Sequence, residues 1–240
     1  MHSGKSGPWA GESEVDMSGG HANLLPVYVM ADESGSMTKV MGQLNEGLRS
    51  LHEALLGEPM AAAKVRFSVL GFSETVLEHL RLADLRHAEE MPELKPRGRT
   101  SYGAAFGDLR QRIPADVDVL KAEGFTVHRP AVFFLSDGQP TDKGWLEVHR
   151  QLIDRNVTKG APNIVACGIG DAQAATIRQV ATRDEYGFIA NAGTDVGASI
   201  ARFCTALTKS IVESGRSLGS AQPELVVERP QGFRMAIDVV

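Results

Sequence analysis

The chain has 240 residues, 42% of them apolar, and a formal net charge of −5. That supplies the core of one α/β domain with tails, and the acidic balance leaves no basic footprint for nucleic acid. No apolar run approaches the ~20 residues needed to cross a bilayer, and the N-terminus lacks the apolar stretch of a secretory signal, so a cytoplasmic address is expected.

Residues 1–22 are rich in Gly and Ser with little periodic apolar content, and read as a flexible leader. Leu24 to Met37 then runs Leu-Leu-Pro-Val-Tyr-Val-Met-Ala-Asp-Glu-Ser-Gly-Ser-Met. The nearly continuous apolar part predicts a strand buried on both faces, and the polar end predicts a tight loop at its carboxyl edge. Ligands bind at that edge in open α/β sheets. Asp32, Ser34 and Ser36 stand there at i, i+2 and i+4, one carboxylate and two hydroxyls. Such oxygen donors suit a hard cation such as Mg²⁺ better than zinc; equally, Asp, Ser and Gly crowd ordinary turns.

Val40, Leu44, Leu48, Leu51 and Leu55 mark one face of a helix starting near Thr38 and stopped by Gly57 and Pro59. Lys64 to Phe72 reads as a strand, and Thr75 to Leu82 as its antiparallel neighbour at the sheet edge. Residues 83–99, charged and containing Pro92 and Pro96, read as a surface connection. Tyr102, Ala105, Phe106, Leu109 and Ile113 predict a second helix, with Thr100 or Ser101 as its hydroxyl cap. Pro130 to Leu135 is another buried strand, and Asp137 follows it directly. A helix through Trp145, Val148, Leu152 and Ile153 comes next, then a strand over Asn163 to Gly170 and a short helix around Ile177 and Val180. A short strand over Tyr186 to Ala190 precedes the helix carrying Val196, Ile200, Phe203, Leu207 and Ile211. The alternation predicts an α/β fold: a doubly wound, mostly parallel sheet with one antiparallel edge strand and helices on both faces. Residues 214–240 are set apart as a tail, either a hairpin or an added strand. Cys167 and Cys204 fall on apolar faces and read as buried free thiols.

Three loops thus bring oxygen donors toward one rim: Asp32, Ser34 and Ser36, then Thr100, then Asp137. In that order they resemble the von Willebrand factor A domain with an intact metal-ion-dependent adhesion site, over residues 23–213. The resemblance implies a Rossmann-like fold that binds and does not catalyse. Ser34 and Ser36 would hold Mg²⁺ directly, with Mn²⁺ or Ca²⁺ as alternatives. Asp32 and Asp137 would act through waters, and Thr100 would bind directly in the ligand-ready state. An Asp or Glu of a protein partner would complete the octahedron. Many relatives have Gly before that Thr. Here Arg99 stands there, either a solvated arginine or a group that steers the incoming carboxylate. Asp142 is expected to cap a helix, and Glu33 to point to solvent. Tyr28–Met37, Gly98–Gly107 and Phe133–Thr141 look most like small bacterial domains of the tellurite-resistance type. That likeness implies a cytoplasmic stress-response system with kinase- or phosphatase-like partners.

The rival readings are a Mg²⁺-dependent hydrolase and a structural scaffold with a vestigial metal site. A phosphatase of the haloacid dehalogenase type needs a second carboxylate two residues after Asp32, where Ser34 stands. A subtilisin-like arrangement needs a His in a glycine-rich loop, which His52, His79 and His87 do not have. No glycine-rich stretch has the spacing of a phosphate-binding loop. The histidines read as surface or satisfied structural residues.

Overall fold

The computed structural model of the chain describes residues 22–238; the expected leader, save its last residue, lies outside the described residues. β1 (Asn23–Asp32) is buried from Leu24 onward because apolar side chains point to both faces. It pairs in parallel with β2 (Val65–Phe72) on one side and with β5 (Ala131–Ser136) on the other. β3 (Val76–Ala83) lies antiparallel on β2. A two-residue strand, β4 (Thr126–Val127), touches the start of β1. Beyond β5 come β6 (Asn163–Gly168) and β7 (Gly187–Ala190), both parallel, then β8 (Phe233–Met235), antiparallel on β7. The order is β3-β2-β1-β5-β6-β7-β8. The described sheet therefore ends in two antiparallel edge strands where one was expected, because the tail returns to pair with β7.

Six α-helices are described. α1 (Met41–Leu56) and α6 (Val196–Ser217) pack on one face, with Leu44, Leu48, Phe203 and Leu207 in the same core cluster as Val27, Val29 and Phe133. The short α2 (Pro59–Ala62) joins α1 to β2. α3 (Tyr102–Ala122), α4 (Trp145–Ile153) and α5 (Ala174–Val180) cover the opposite face through Phe106, Leu109, Leu152 and Ile177. The sheet is thus wound in both directions from the β1–β5 junction, the topological switch point where such folds open a crevice. α3 continues through Pro114 to Ala122, beyond the expected Ile113. Val117 and Leu120 are buried, which offsets the one backbone bond that proline removes. α1 starts at Met41 and not at Thr38, since Gly35–Lys39 first makes a 3₁₀ turn.

Residues 84–101 are more than a surface connection. Leu85, Met91 and Leu94 are buried in the α1-face core. Asn45 of α1 grips Leu94 twice: its Nδ2 donates to the carbonyl at 3.0 Å, and its Oδ1 accepts from the amide at 2.9 Å. His52 Nε2 donates to the Leu85 carbonyl at 2.8 Å. This strap delivers Thr100 to the carboxyl end of the sheet. Both cysteines are buried and free, and burial pushes the Cys204 thiol up to about 12.

Candidate metal centre

The β1–β5 pairing places Ala31 opposite Leu135, so the loops that follow the two strands leave the sheet side by side. The first loop folds on itself: the Ser34 amide donates to Asp32 Oδ1 at 2.8 Å. The other carboxylate oxygen of Asp32 accepts from Ser136 Oγ at 2.6 Å. Ser34 Oγ and Ser36 Oγ stand 2.9 Å apart, and Ser36 Oγ donates to Asp137 Oδ1 at 2.7 Å, across 101 positions of sequence. Asp32 and Ser34 are buried, Asp137 is nearly so, and Ser36 opens to solvent.

Thr100 arrives from the strap. Ser101, not Thr100, caps α3, its Oγ accepting from the Ala104 amide at 3.1 Å. The Thr100 hydroxyl, spared that role, has no hydrogen-bond partner among the described residues, and lies against the third loop beside Gly138. Its carbonyl accepts from the amide and hydroxyl of Thr141 at 2.9 and 2.7 Å, which ties the second loop to the third. Asp142 caps α3 from outside, accepting from the Tyr102 and Gly103 amides at 2.9 and 2.8 Å. Gly103 permits this, because a Cβ there would overlap the Asp142 carboxylate.

The electrostatics favour a cation. Burial pushes Asp32 above the usual carboxylate range, opposed by its bonds from Ser136 and Ser34 and reinforced by the charge of Asp137. Burial likewise raises Asp137, with Asp171 adding in the same direction. Neither has a Lys, Arg or His ion-pair partner among the described residues. No group of three or more His, Cys, Asp or Glu side chains clusters as a metal site among those residues, so this donor set depends on its hydroxyls. Adjacent corners of a Mg²⁺ octahedron with ~2.0–2.1 Å bonds lie ~2.9 Å apart. The two serine oxygens have that spacing, and the oxygen-only set fits the ion.

Glu33 corrects an expectation: it does not face solvent but is fully buried. Its Oε1 accepts from His79 Nε2 at 2.8 Å and from the Lys95 amide at 3.2 Å, and its Oε2 from Arg97 Nε at 2.7 Å. Arg97 also donates to Ser73 Oγ at 2.6 Å and to the Gly71 and Thr75 carbonyls at 2.7 and 2.9 Å. The carboxylate occupies the space that a Cβ on Gly71 would take. Burial alone would raise Glu33; the bonds from His79 and Arg97 outweigh it and hold it below the usual range. Sequence reasoning missed this clamp, which pins the strap within three residues of Thr100. Arg99 beside it is exposed, with no ion pair among the described residues.

No family model matches the sequence, and no curated protein matches it. Solved structures do. Proximal thread matrix protein 1 from the mussel byssus aligns over 80% of this chain and 49% of its own, at 15% identity and a TM-score of 0.55. The same protein has been solved with a zinc-occupied MIDAS motif. The pilus adhesin SpaC from Lactobacillus rhamnosus GG aligns over 80% of this chain and 30% of its own, at 13% identity and a TM-score of 0.60. A von Willebrand factor type A structure from Catenulispora acidiphila aligns at 16% identity over 79% of this chain and 43% of its own, with a TM-score of 0.48. The chain spans half or less of the length of these structures. At such identities the likeness to the byssus protein and the pilus adhesin is one of fold alone, an α/β, Rossmann-like arrangement.

Proposed function

We propose that this chain is a metal-dependent protein-binding module and not an enzyme. Ser34, Ser36 and Thr100 would hold the cation directly, with Asp32 and Asp137 behind them through waters. The observation that carries this reading is the meeting of Ser34, Ser36 and Asp137 from two loops, around buried carboxylates that lack a positive partner among the described residues. Neutral hydroxyls nearest the ion leave it electrophilic, so a carboxylate from a partner completes its shell. The solved relatives include an adhesin and a matrix protein, which supports a protein partner.

Mg²⁺ is the ion we assign, with Mn²⁺ or Ca²⁺ as substitutes. Zinc in the mussel protein marks the competitor to test, since zinc prefers nitrogen and sulfur donors that this site lacks. The finer setting rests on the sequence resemblance alone: a cytoplasmic bacterial stress-response or tellurite-resistance-type system with kinase- or phosphatase-like partners. Titrating Mg²⁺ and Mn²⁺ into wild-type and Ser34→Ala protein tests the metal, and partner capture in Mg²⁺ against EDTA tests the bridge. Metal-independent capture, or equal metal binding by Ser34→Ala, would overturn the reading.

A further inference from the structure

The opposite pole of the sheet holds a cavity. At the amino ends of β1, β5 and β6, Leu25, Arg129, Asn163, Arg155 and Arg183 line a cavity of about 340 Å³ closed by the C-terminal segment at Leu218 and Pro223–Leu225. Arg129 and Arg155 also line the adjoining hollow. Arg129 is held on the Ala161 carbonyl at 2.6 Å and has no carboxylate partner among the described residues. Arg155 has neither ion pair nor hydrogen bond there. The two charges act on one another: after burial, the Arg155 charge is the next cause lowering Arg129. Arg183 lies over the Tyr186 ring at 5.3 Å and keeps only a loose pair with Glu185 at 3.7 Å.

The remaining polar groups are mainly donors. The Asn163 side-chain amide and the Tyr186 hydroxyl have no hydrogen-bond partner among the described residues, while His128 is committed to Asn23 Oδ1 at 3.0 Å. Glu224 is the one acidic residue of the lining, and it comes from the exposed closing segment. Arg129 and Arg155 are like charges at one cavity that repel one another, and a bridging anion replaces that repulsion with attraction. A singly charged carboxylate would leave most of these donors unused. A dianionic phosphoryl group has the oxygens and the charge to engage several guanidinium forks. Leu25, Leu218, Pro223 and Leu225 give the attached body an apolar wall.

We propose that this cavity binds a small organic phosphate, the phosphoryl group held by Arg129, Arg155 and Arg183. Phenyl phosphate titrated calorimetrically into the full chain tests it, in EDTA so that no metal at the opposite pole takes part. One saturable site is expected. Arg155→Ala, at an exposed position that the fold does not need, should weaken it at least tenfold. Arg49→Ala, on the far side of α1, should not change it. Benzoate should bind at least tenfold more weakly than phenyl phosphate. The proposal is overturned by the absence of saturable binding, by wild-type affinity in Arg155→Ala, or by an equal loss in Arg49→Ala. Benzoate binding as tightly as phenyl phosphate overturns the phosphoryl assignment.

Discussion

The two neighbours Asp32 and Glu33 are both buried carboxylates, one residue apart at the end of β1, and their surroundings are opposite. Glu33 receives the Arg97 guanidinium, the His79 ring and a backbone amide, and its charge is favoured. Asp32 receives a serine hydroxyl and an amide, faces Asp137, and its charge is disfavoured. The difference separates two uses of buried charge. A carboxylate whose partners all come from the chain is part of the architecture. One left short of positive charge is poised for something from outside. The amino-end cavity repeats this with the sign reversed, in Arg129 and Arg155, which have no carboxylate partner among the described residues.

The strongest attack on this contrast is Glu33→Ala. It strands Arg97 and His79, and breaking a buried pair costs ~3–5 kcal/mol. Arg97 is 23% exposed, which places the loss near 3 kcal/mol by chemical denaturation. A loss under about 0.5 kcal/mol would show that the clamp is not structural. Next is Ser34→Ala, which should leave the metal-free protein folded but abolish stabilisation by Mg²⁺. In wild type that gain is about 2.7 kcal/mol at a hundredfold excess over Kd. A retained thermal shift in the variant would erase the distinction.

Asp32→Asn should sharpen it through pH. The folded-state pKa of Asp32 is raised, so the native chain holds a proton that the unfolded chain releases, and stability falls as pH rises through that window. In EDTA the variant should match or exceed wild type at pH 7. Its advantage should vanish as pH falls toward the ordinary Asp value of 3.8. A variant less stable at pH 7 and gaining nothing from the comparison at low pH would mean that burial does not oppose the charge. The smallest effect is expected at Arg99, whose exposure limits it to about 0.5 kcal/mol in partner affinity. Metal titration should be unchanged in Arg99→Ala, and a drop in metal binding would place the arginine within the cation's support.

Much of the frame was legible because each element carries its own signal: apolar runs for β1 and β5, and a 3.6-residue period for α1 and α6. The ordered motif was legible too, and of its residues Ser34, Ser36 and Asp137 meet in hydrogen-bond contact, with Asp32 bonded to the Ser34 amide. Glu33 was not, since its burial depends on Gly71 in a neighbouring strand and on Arg97, 64 positions later. The tail read as either a hairpin or an added strand; it supplies β8, but no local feature named β7 as its partner. The arginine cavity had no signal at all. Its side chains come from segments that share no spacing, and only the common amino end of the parallel strands collects them.

The antiparallel borders of the sheet carry a consequence for how other proteins can dock. β8 is three residues long, and β3 pairs with β2 through two register shifts. A short border and an irregular one are both poor templates for an incoming backbone. Strand addition, which reads main chain before side chain, is therefore blunted at each flank. The two proposed sites lie instead at the poles, where single charged groups would be read one at a time. On those proposals a visitor would be selected by the chemistry of its side chain or phosphoryl group, with no requirement that it be extended.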